Sequence, residues 1–344
     1  MEKQGVRGPK PRPLIGNILD MSSLVSSSTS EDMPTISHDI VARLLPHYLL
    51  WSKEYGKRYV YWNGFEPRMC LTDPDMIKEL LTKYNPLSGK SWLQQQGSKN
   101  FIGNGLLMAN GDAWFHQRHI VSPAFMSDKL KNKKRDGFNL NLQLIMDEIK
   151  TFFFAGHETT ALLLTWTTML LASNPEWQEK LRDEVAQVCN GATPTIDHLP
   201  KLRMLSMIIN ESLRLYPPAT LLPRMVFEDI KLGDLLVPKG LSIWIPVLAI
   251  HHDKELWGED ANEFNPDRFA SKSFISSRFL PFGGGPRNCI GQSFALMEAK
   301  IILAMLVSQF RFKISSSYRH SPVVVLTIKP KHGVQVCLEP LHTS

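Results

Sequence analysis

The sequence predicts a mainly α-helical protein with a minor β-sheet, and three observations carry that prediction. The longest apolar stretch, residues 142–172, reads as one long helix. Two proline-led starts, Asp73-Pro74 and Asn174-Pro175, place a capping residue before a first-position proline. The β-branched, strand-like stretches are short, and there is no internal repeat.

The elements follow in order. Residues 1–38 form a basic, proline-rich arm and loop, with the serine-rich stretch 22–30 as loop; residues 39–344 are one domain. Helical periodicity covers 39–53, and 58–63 and 67–72 are strand candidates. The helix begun at Asp73-Pro74 runs to Lys83, and Asn174-Pro175 opens a polar helix to about Cys189. Pro217-Pro218 ends a helix over 204–216. A helix-like run covers 292–309, and 322–328 with 333–338 read as a strand pair.

A chain of 344 residues, 43% hydrophobic and 21% charged, can bury a large core and has a folded protein's composition. A net charge of +6 and a pI near 9.0 are moderately basic, and with no arginine-rich arm or nucleic-acid motif they give no reason to expect a nucleic-acid partner. Cys70, Cys189, Cys289 and Cys337 stand far apart, which argues against a zinc site or a disulfide framework and fits a reducing compartment.

One cysteine stands apart by its neighbours. Phe282-Gly283-Gly284-Gly285-Pro286-Arg287-Asn288-Cys289-Ile290-Gly291 puts a thiol at the end of a glycine-rich loop, where a helix begins. Glycines let backbone lie against a flat ligand, and a helix N-terminus favours thiolate over thiol. Alone, Cys289 would read as a buried, inert thiol. The full pattern Phe-x-x-Gly-x-Arg-x-Cys-x-Gly resembles the haem-binding loop of the cytochromes P450. The resemblance implies haem b, with Cys289 as the iron ligand and Phe282, Gly285, Arg287 and Gly291 around it.

Further motifs carry the same resemblance. Within the long helix, Ala155-Gly156-His157-Glu158-Thr159-Thr160 sets glycine, acid and hydroxyls where a helix does not favour them. It resembles the family's oxygen-activation motif, implying that Thr159 handles oxygen, Glu158 relays protons and Gly156 leaves space. A membrane span over 152–172 is long enough but interrupted by His157 and Glu158. Glu211-Ser212-Leu213-Arg214 and Pro266-Asp267-Arg268 resemble the Glu-x-x-Arg and Pro-x-Arg motifs, implying a buried structural triad of Glu211, Arg214 and Arg268. Trp114 and Arg118 match Trp-x-x-x-Arg, and with Arg224 and Arg287 the resemblance makes them haem-propionate contacts.

The stretches 152–169, 211–225, 241–252 and 321–331 are similar to plant cytokinin trans-hydroxylases. This implies an NADPH- and O2-dependent hydroxylation of the prenyl side chain of isopentenyladenine-type substrates. Electrons would come through NADPH–cytochrome P450 reductase, at the cytosolic face of the endoplasmic reticulum membrane. Remaining substrate contacts are expected at 219–222 and 322–325.

Two departures stand out. Gly8-Pro9-Lys10-Pro11-Arg12-Pro13 resembles the proline hinge that follows a membrane anchor, although an unordered tail fits these residues equally; no anchor precedes it, and a cytosolic chain is the expectation. Between Phe125 and Leu142 stands only a basic, polar stretch, where the resemblance implies several helices forming lid and access channel. The expected fold is therefore incomplete, with a deletion junction near 126–141, and a non-catalytic remnant with impaired haem binding is the rival reading.

Overall fold

The computed structural model describes residues 1–125, 142–271 and 276–341, so the junction expected at 126–141 lies outside the described residues. The helices are α1 (Ile18–Ser28), α2 (Val41–Leu44), α3 (Pro46–Tyr55), α4 (Pro74–Thr82), α5 (Trp92–Ser98), α6 (Gly111–Val121), α7 (Leu142–Ser173), α8 (Pro175–Cys189), α9 (Arg203–Leu215), α10 (Val247–His251), α11 (Lys254–Trp257) and α12 (Gln292–Gln309). The strands are β1 (Val60–Asn63), β2 (Glu66–Cys70), β3 (Ser88–Gly89), β4 (Leu222–Val226), β5 (Ile230–Leu232), β6 (Leu235–Val237), β7 (Ser242–Ile245), β8 (Phe310–Ile314), β9 (Pro322–Val325), β10 (Thr327–Pro330) and β11 (Val336–Pro340). Helix dominates and sheet is minor.

Local chemistry sets several boundaries. Asp73 Oδ1 accepts the backbone N–H groups of Asp75 and Met76 at 3.1 and 2.9 Å, and Pro74 takes the first helical position of α4. Residues 39–53 form two helices rather than one, because Pro46 has no N–H to continue α2 and starts α3 instead. The serine-rich stretch read as loop is α1. Met21 of that helix packs against the main core, and the Ser28 hydroxyl donates to the carbonyl of Arg43, so tertiary contacts override serine's weak helix preference.

The five-stranded sheet has order β1-β2-β7-β4-β3, with β2 and β7 parallel and the other pairs antiparallel. The two C-terminal strand segments do not pair with each other. β9 folds back on β10 within 322–330, while β11 pairs with β8 immediately after α12. The N-terminal arm is docked: the Val60 N–H donates to the Arg7 carbonyl at 2.9 Å, and fully buried Asn17 accepts the Trp62 N–H at 2.9 Å.

The main core gathers α3, α8, α9, α12 and the C-terminal half of α7, where Leu163, Trp166, Met169 and Leu170 are buried. Each such side chain stabilises the fold by about 1.5–3 kcal/mol relative to exposure. The N-terminal half of α7 differs. Leu142, Met146, Ile149 and Phe153 face solvent, Phe153 with 72% of its surface exposed. That half is held by its acids: Asp147 Oδ2 accepts the Asn104 N–H at 2.9 Å, and Glu148 accepts that of Leu106 at 3.0 Å. Gly103 makes the approach possible, with φ +78° and space for a Cβ only 2.3 Å from Asp147 Cγ.

Asp73→Ala leaves two helix-terminal N–H groups without acceptors, and should cost about 1 kcal/mol in a denaturant titration, with Asp73→Asn close to wild type.

Candidate haem-thiolate site

The Cys289 loop is closed by backbone. The Cys289 N–H donates to the Phe282 carbonyl at 2.8 Å and that of Asn288 to the Gly285 carbonyl at 3.0 Å, while the Phe282 ring packs against the main core. Gly285 has φ +66°, and a Cβ there would stand 1.9 Å from the Leu81 carbonyl oxygen of α4. Only glycine lets the loop lie on that helix. At Gly291 a Cβ would meet only the Phe125 ring and Cys289 Sγ, at 3.8 and 3.9 Å, so no protein contact demands glycine there.

Cys289 is exposed, just ahead of α12. Crowding by protein raises the thiol pKa, and the Gly291 N–H and the Arg118 guanidinium lower it by less. A metal cation bound directly to the sulfur would offset that rise by stabilising the thiolate.

Arginines frame the loop. Arg118 of α6 donates from Nη1 to the Asn288 carbonyl at 2.8 Å and from Nη2 to Asn288 Oδ1 at 3.0 Å, fixing the residue before the cysteine. Arg287 lies 4.4 Å over the Trp114 ring and donates to the Ala109 carbonyl, but its buried Nε has no partner. Arg224 of β4 is 5% exposed and donates to the Pro223 carbonyl.

A third cation joins these two that the sequence reading missed. The register of β3 with β4 sets Gly89 opposite Met225 and so carries Lys90 to Arg224; the Asn110 side chain clamps the Lys90 backbone through two hydrogen bonds of 2.8 Å. Burial, with repulsion from Arg224 and Arg287, lowers the Lys90 pKa to about 7, and burial lowers those of Arg224 and Arg287 to about 10. No carboxylate among the described residues pairs with any of the three. Desolvated cations without counter-ions, beside an open thiol, fit a ligand that brings two carboxylates, as haem does.

The structural triad is assembled. Glu211 and Arg214 are fully buried, and Arg214 Nε and Nη2 donate to the two Glu211 carboxylate oxygens at 2.7 Å each. Arg214 Nη1 reaches the His251 and Ala261 carbonyls at 2.7 and 2.6 Å. Arg268 Nε lies 3.4 Å from Glu211 Oε1, while its Nη2 pairs with Asp260 at 2.5 Å.

In α7, the Thr159 hydroxyl donates to the Ala155 carbonyl at 2.6 Å, and nothing stands within 4 Å of where a Gly156 Cβ would be. No hydrogen bond joins Glu158 to Thr159. Glu158 Oε1 instead accepts the Thr327 hydroxyl at 3.0 Å and pairs with Lys329 Nζ at 2.6 Å, both on β10. Of the expected substrate stretches, Thr220 and Pro322 are buried, whereas Leu221 and Val325 are exposed.

Two substitutions test this geometry. Arg214→Ala strands a buried carboxylate and should cost about 3–5 kcal/mol in unfolding and abolish haem retention; normal haem content would refute the structural role. Lys90 is a base whose folded pKa is depressed, so the folding penalty from its charge is full below about pH 7 and fades towards lysine's ordinary 10.5. Lys90→Met should therefore raise the melting temperature of the haem-free chain at neutral pH, with the gain vanishing in alkali, while haem binding weakens.

Comparison with known proteins agrees with the site. The family model described as Cytochrome P450 matches residues 7–139 and 125–338. Two cytokinin hydroxylases of Arabidopsis thaliana are each 50% identical, over 99% of this chain and 92% of theirs. Cytochrome P450 734A5 of Oryza sativa subsp. japonica is 33% identical over 99% of the chain and 90% of its own length. The first alignment runs over 471 positions against a chain of 344 residues, so at least 127 of them (471 less 344) have no counterpart here. A thiol loop, a buried Glu-Arg pair and near-complete coverage by relatives converge on one conclusion: the chain belongs to the cytochrome P450 family of haem monooxygenases, with part of the interior of that fold missing.

Proposed function

We propose that the chain holds haem b through Cys289 and hydroxylates the prenyl side chain of an isopentenyladenine-type cytokinin. The observation that carries the haem assignment is the cluster of Lys90, Arg224 and Arg287, three desolvated cations with no carboxylate to answer them. The substrate class rests on the similarity to the two cytokinin hydroxylases. Two electrons would come from NADPH by way of a flavoprotein reductase.

Each residue then has a task. Cys289 supplies the sulfur ligand, and Arg118 steadies its loop through Asn288. Arg224, Arg287 and Lys90 pair with the propionates, while Trp114 supports Arg287 from below. Gly156 leaves open space beside Thr159, whose hydroxyl oxygen keeps lone pairs for a proton passed inward. Bound there, haem would supply the redox chemistry that inserts one oxygen atom of O2 into a C–H bond, the other leaving as water.

The same reading sets the protein against the cytosolic face of the endoplasmic reticulum membrane. No helix among the described residues is long and apolar enough to cross a membrane. Contact would be superficial, through the exposed Leu14, Ile15, Ile18 and Leu19 beside a basic arm.

A second reading, a remnant that no longer turns over, is favoured by one observation. The apolar stripe Leu142, Met146, Ile149 and Phe153 on α7 has no cover among the described residues, and a groove of about 590 Å³ opens between α6 and α7. Exposed apolar surface of this kind drives association.

The carbon monoxide difference spectrum of the reduced, haem-supplemented chain separates the two readings. A strongly red-shifted Soret band, lost in Cys289→Ser, is expected from thiolate ligation; an aggregated protein without that band would favour the remnant.

A further inference from the structure

The fold treats two faces of the N-terminal half of α7 in opposite ways. The inner face is gripped by the segment before α6. Asp147 and Glu148 accept the Asn104 and Leu106 N–H groups at 2.9 and 3.0 Å, and the Thr151 hydroxyl donates to the Ile102 carbonyl at 3.4 Å. The outer face is apolar and open. Leu142, Met146, Ile149 and Phe153 follow one another at steps of four, three and four residues, the spacing of a coiled-coil seam. They are 71, 48, 63 and 72% exposed, with no cover among the described residues. The seam then stops: Gly156 has no side chain, and Thr160 is buried in the body of the protein.

We propose that this face is the interface of a closed homodimer, in which the α7 seams of two copies pack antiparallel about a two-fold axis. The surface is self-complementary, as such an axis requires. Phe153 protrudes from it, and beside the seam a groove of about 590 Å³ is walled by Ile120, Val121, Leu144 and Ile145. Setting Leu142 opposite Phe153 and Met146 opposite Ile149 lays the Phe153 ring of each copy over the Leu144–Ile145 end of the other copy's groove. That ring is already oriented, because it stacks on His157 with centroids 5.8 Å apart and planes 4° apart. Little side-chain freedom is then lost on association, and the helix itself is formed beforehand.

The direction of pairing follows from the rest of the chain. The C-terminal half of α7 is enclosed in the main core, so parallel seams would drive the two bodies into each other. Antiparallel seams send the bodies to opposite ends and oppose the helix dipoles. Lys150 of each copy then lies beside Gln143 of the other, and like charges do not meet. The exposed parts of Leu142, Ile145, Met146, Ile149 and Phe153 come to roughly 500 Å² per copy, or about 1,000 Å² for the pair, the area at which a well-fitted interface becomes specific. The dimer covers the outer face of α7 whether or not haem is bound, so the proposal does not rest on turnover.

Sedimentation equilibrium of the full chain, with and without haem, tests this. The expected species is a reversible dimer of twice the 39.1 kDa chain mass, with no larger assembly. Ile149→Asp and Phe153→Asp change exposed positions and should keep the helical circular dichroism, yet each should weaken dimerisation at least about thirtyfold. Leu236→Asp, on the equally exposed face of β6, should leave the dimer unchanged. Cross-linking reads the direction. With the exposed thiols removed by Cys289→Ser and Cys337→Ser, a copy carrying Leu142→Cys should form a disulfide with a copy carrying Phe153→Cys, and neither with itself. A monomeric wild type overturns the proposal, as does an open-ended series of oligomers or a dimer indifferent to Phe153→Asp. Self-cross-linking of each variant would overturn the antiparallel arrangement. Binding to phosphatidylcholine vesicles that Phe153→Asp abolishes, with no dimer in solution, would assign the face to a lipid surface instead.

Discussion

The ion pair of Glu211 and Arg214 is the constraint on which the rest of the structure depends. Both side chains are fully buried, so neither is screened by water and neither tolerates loss of the other. Arg214 spends its remaining donors on the carbonyls of His251, Ala261 and Glu263, which ties α9 to the end of α10 and to the segment before the Pro266–Phe269 turn. The Asn265 N–H donates to Glu211 Oε1 at 3.0 Å, and Arg268 closes the turn on Asp260. From that anchored turn the chain continues to the cysteine loop. The fully buried His251, which stacks on Phe279, accepts the Leu280 N–H at 2.9 Å through its ring. A pair far from any reacting atom thus fixes where Cys289 can stand.

The loop anchored in this way ends in an electrostatic deficit. Burial pushes the Cys289 thiol pKa up, while three cations nearby have no carboxylate partner among the described residues. Each half of that arrangement is unfavourable alone, and a metal carried by a dicarboxylate macrocycle satisfies both. The metal stabilises the thiolate, and the carboxylates take up the hydrogen-bonding capacity that Arg287 Nε leaves unused.

Legibility in the sequence followed the range of the determining contacts. The start of α4 was readable because its cap and its proline are adjacent. The Glu211–Arg214 pair was readable because its partners stand three positions apart on one helical face. α1 was not, since its serines form a helix only when Met21 and its neighbours meet the core. The partner of β11 was misread because β8 lies beyond the intervening β9–β10 hairpin in the chain. Lys90 and Lys329 could not be found by motif. Each reaches its partners through strand placement, and nothing in the residues around either one announces the contact.

The missing interior segment divides the fold's functions unequally. The buried pair, the cysteine loop, the cation cluster and the C-terminal half of α7 share cores that are closed among the described residues. The N-terminal half of α7 is tethered mainly through Asp147, Glu148 and the loop they grip, and its outer stripe stays open. Elements that would hold a cofactor from below and behind are present, whereas no cover for the outer stripe of α7 stands among the described residues. Haem capture draws on the first set. Substrate selection and exclusion of water draw on the second, because a reacting site must be closed over its ligand as well as built beneath it. In this chain the two capacities need not stand or fall together, because they rest on different contacts.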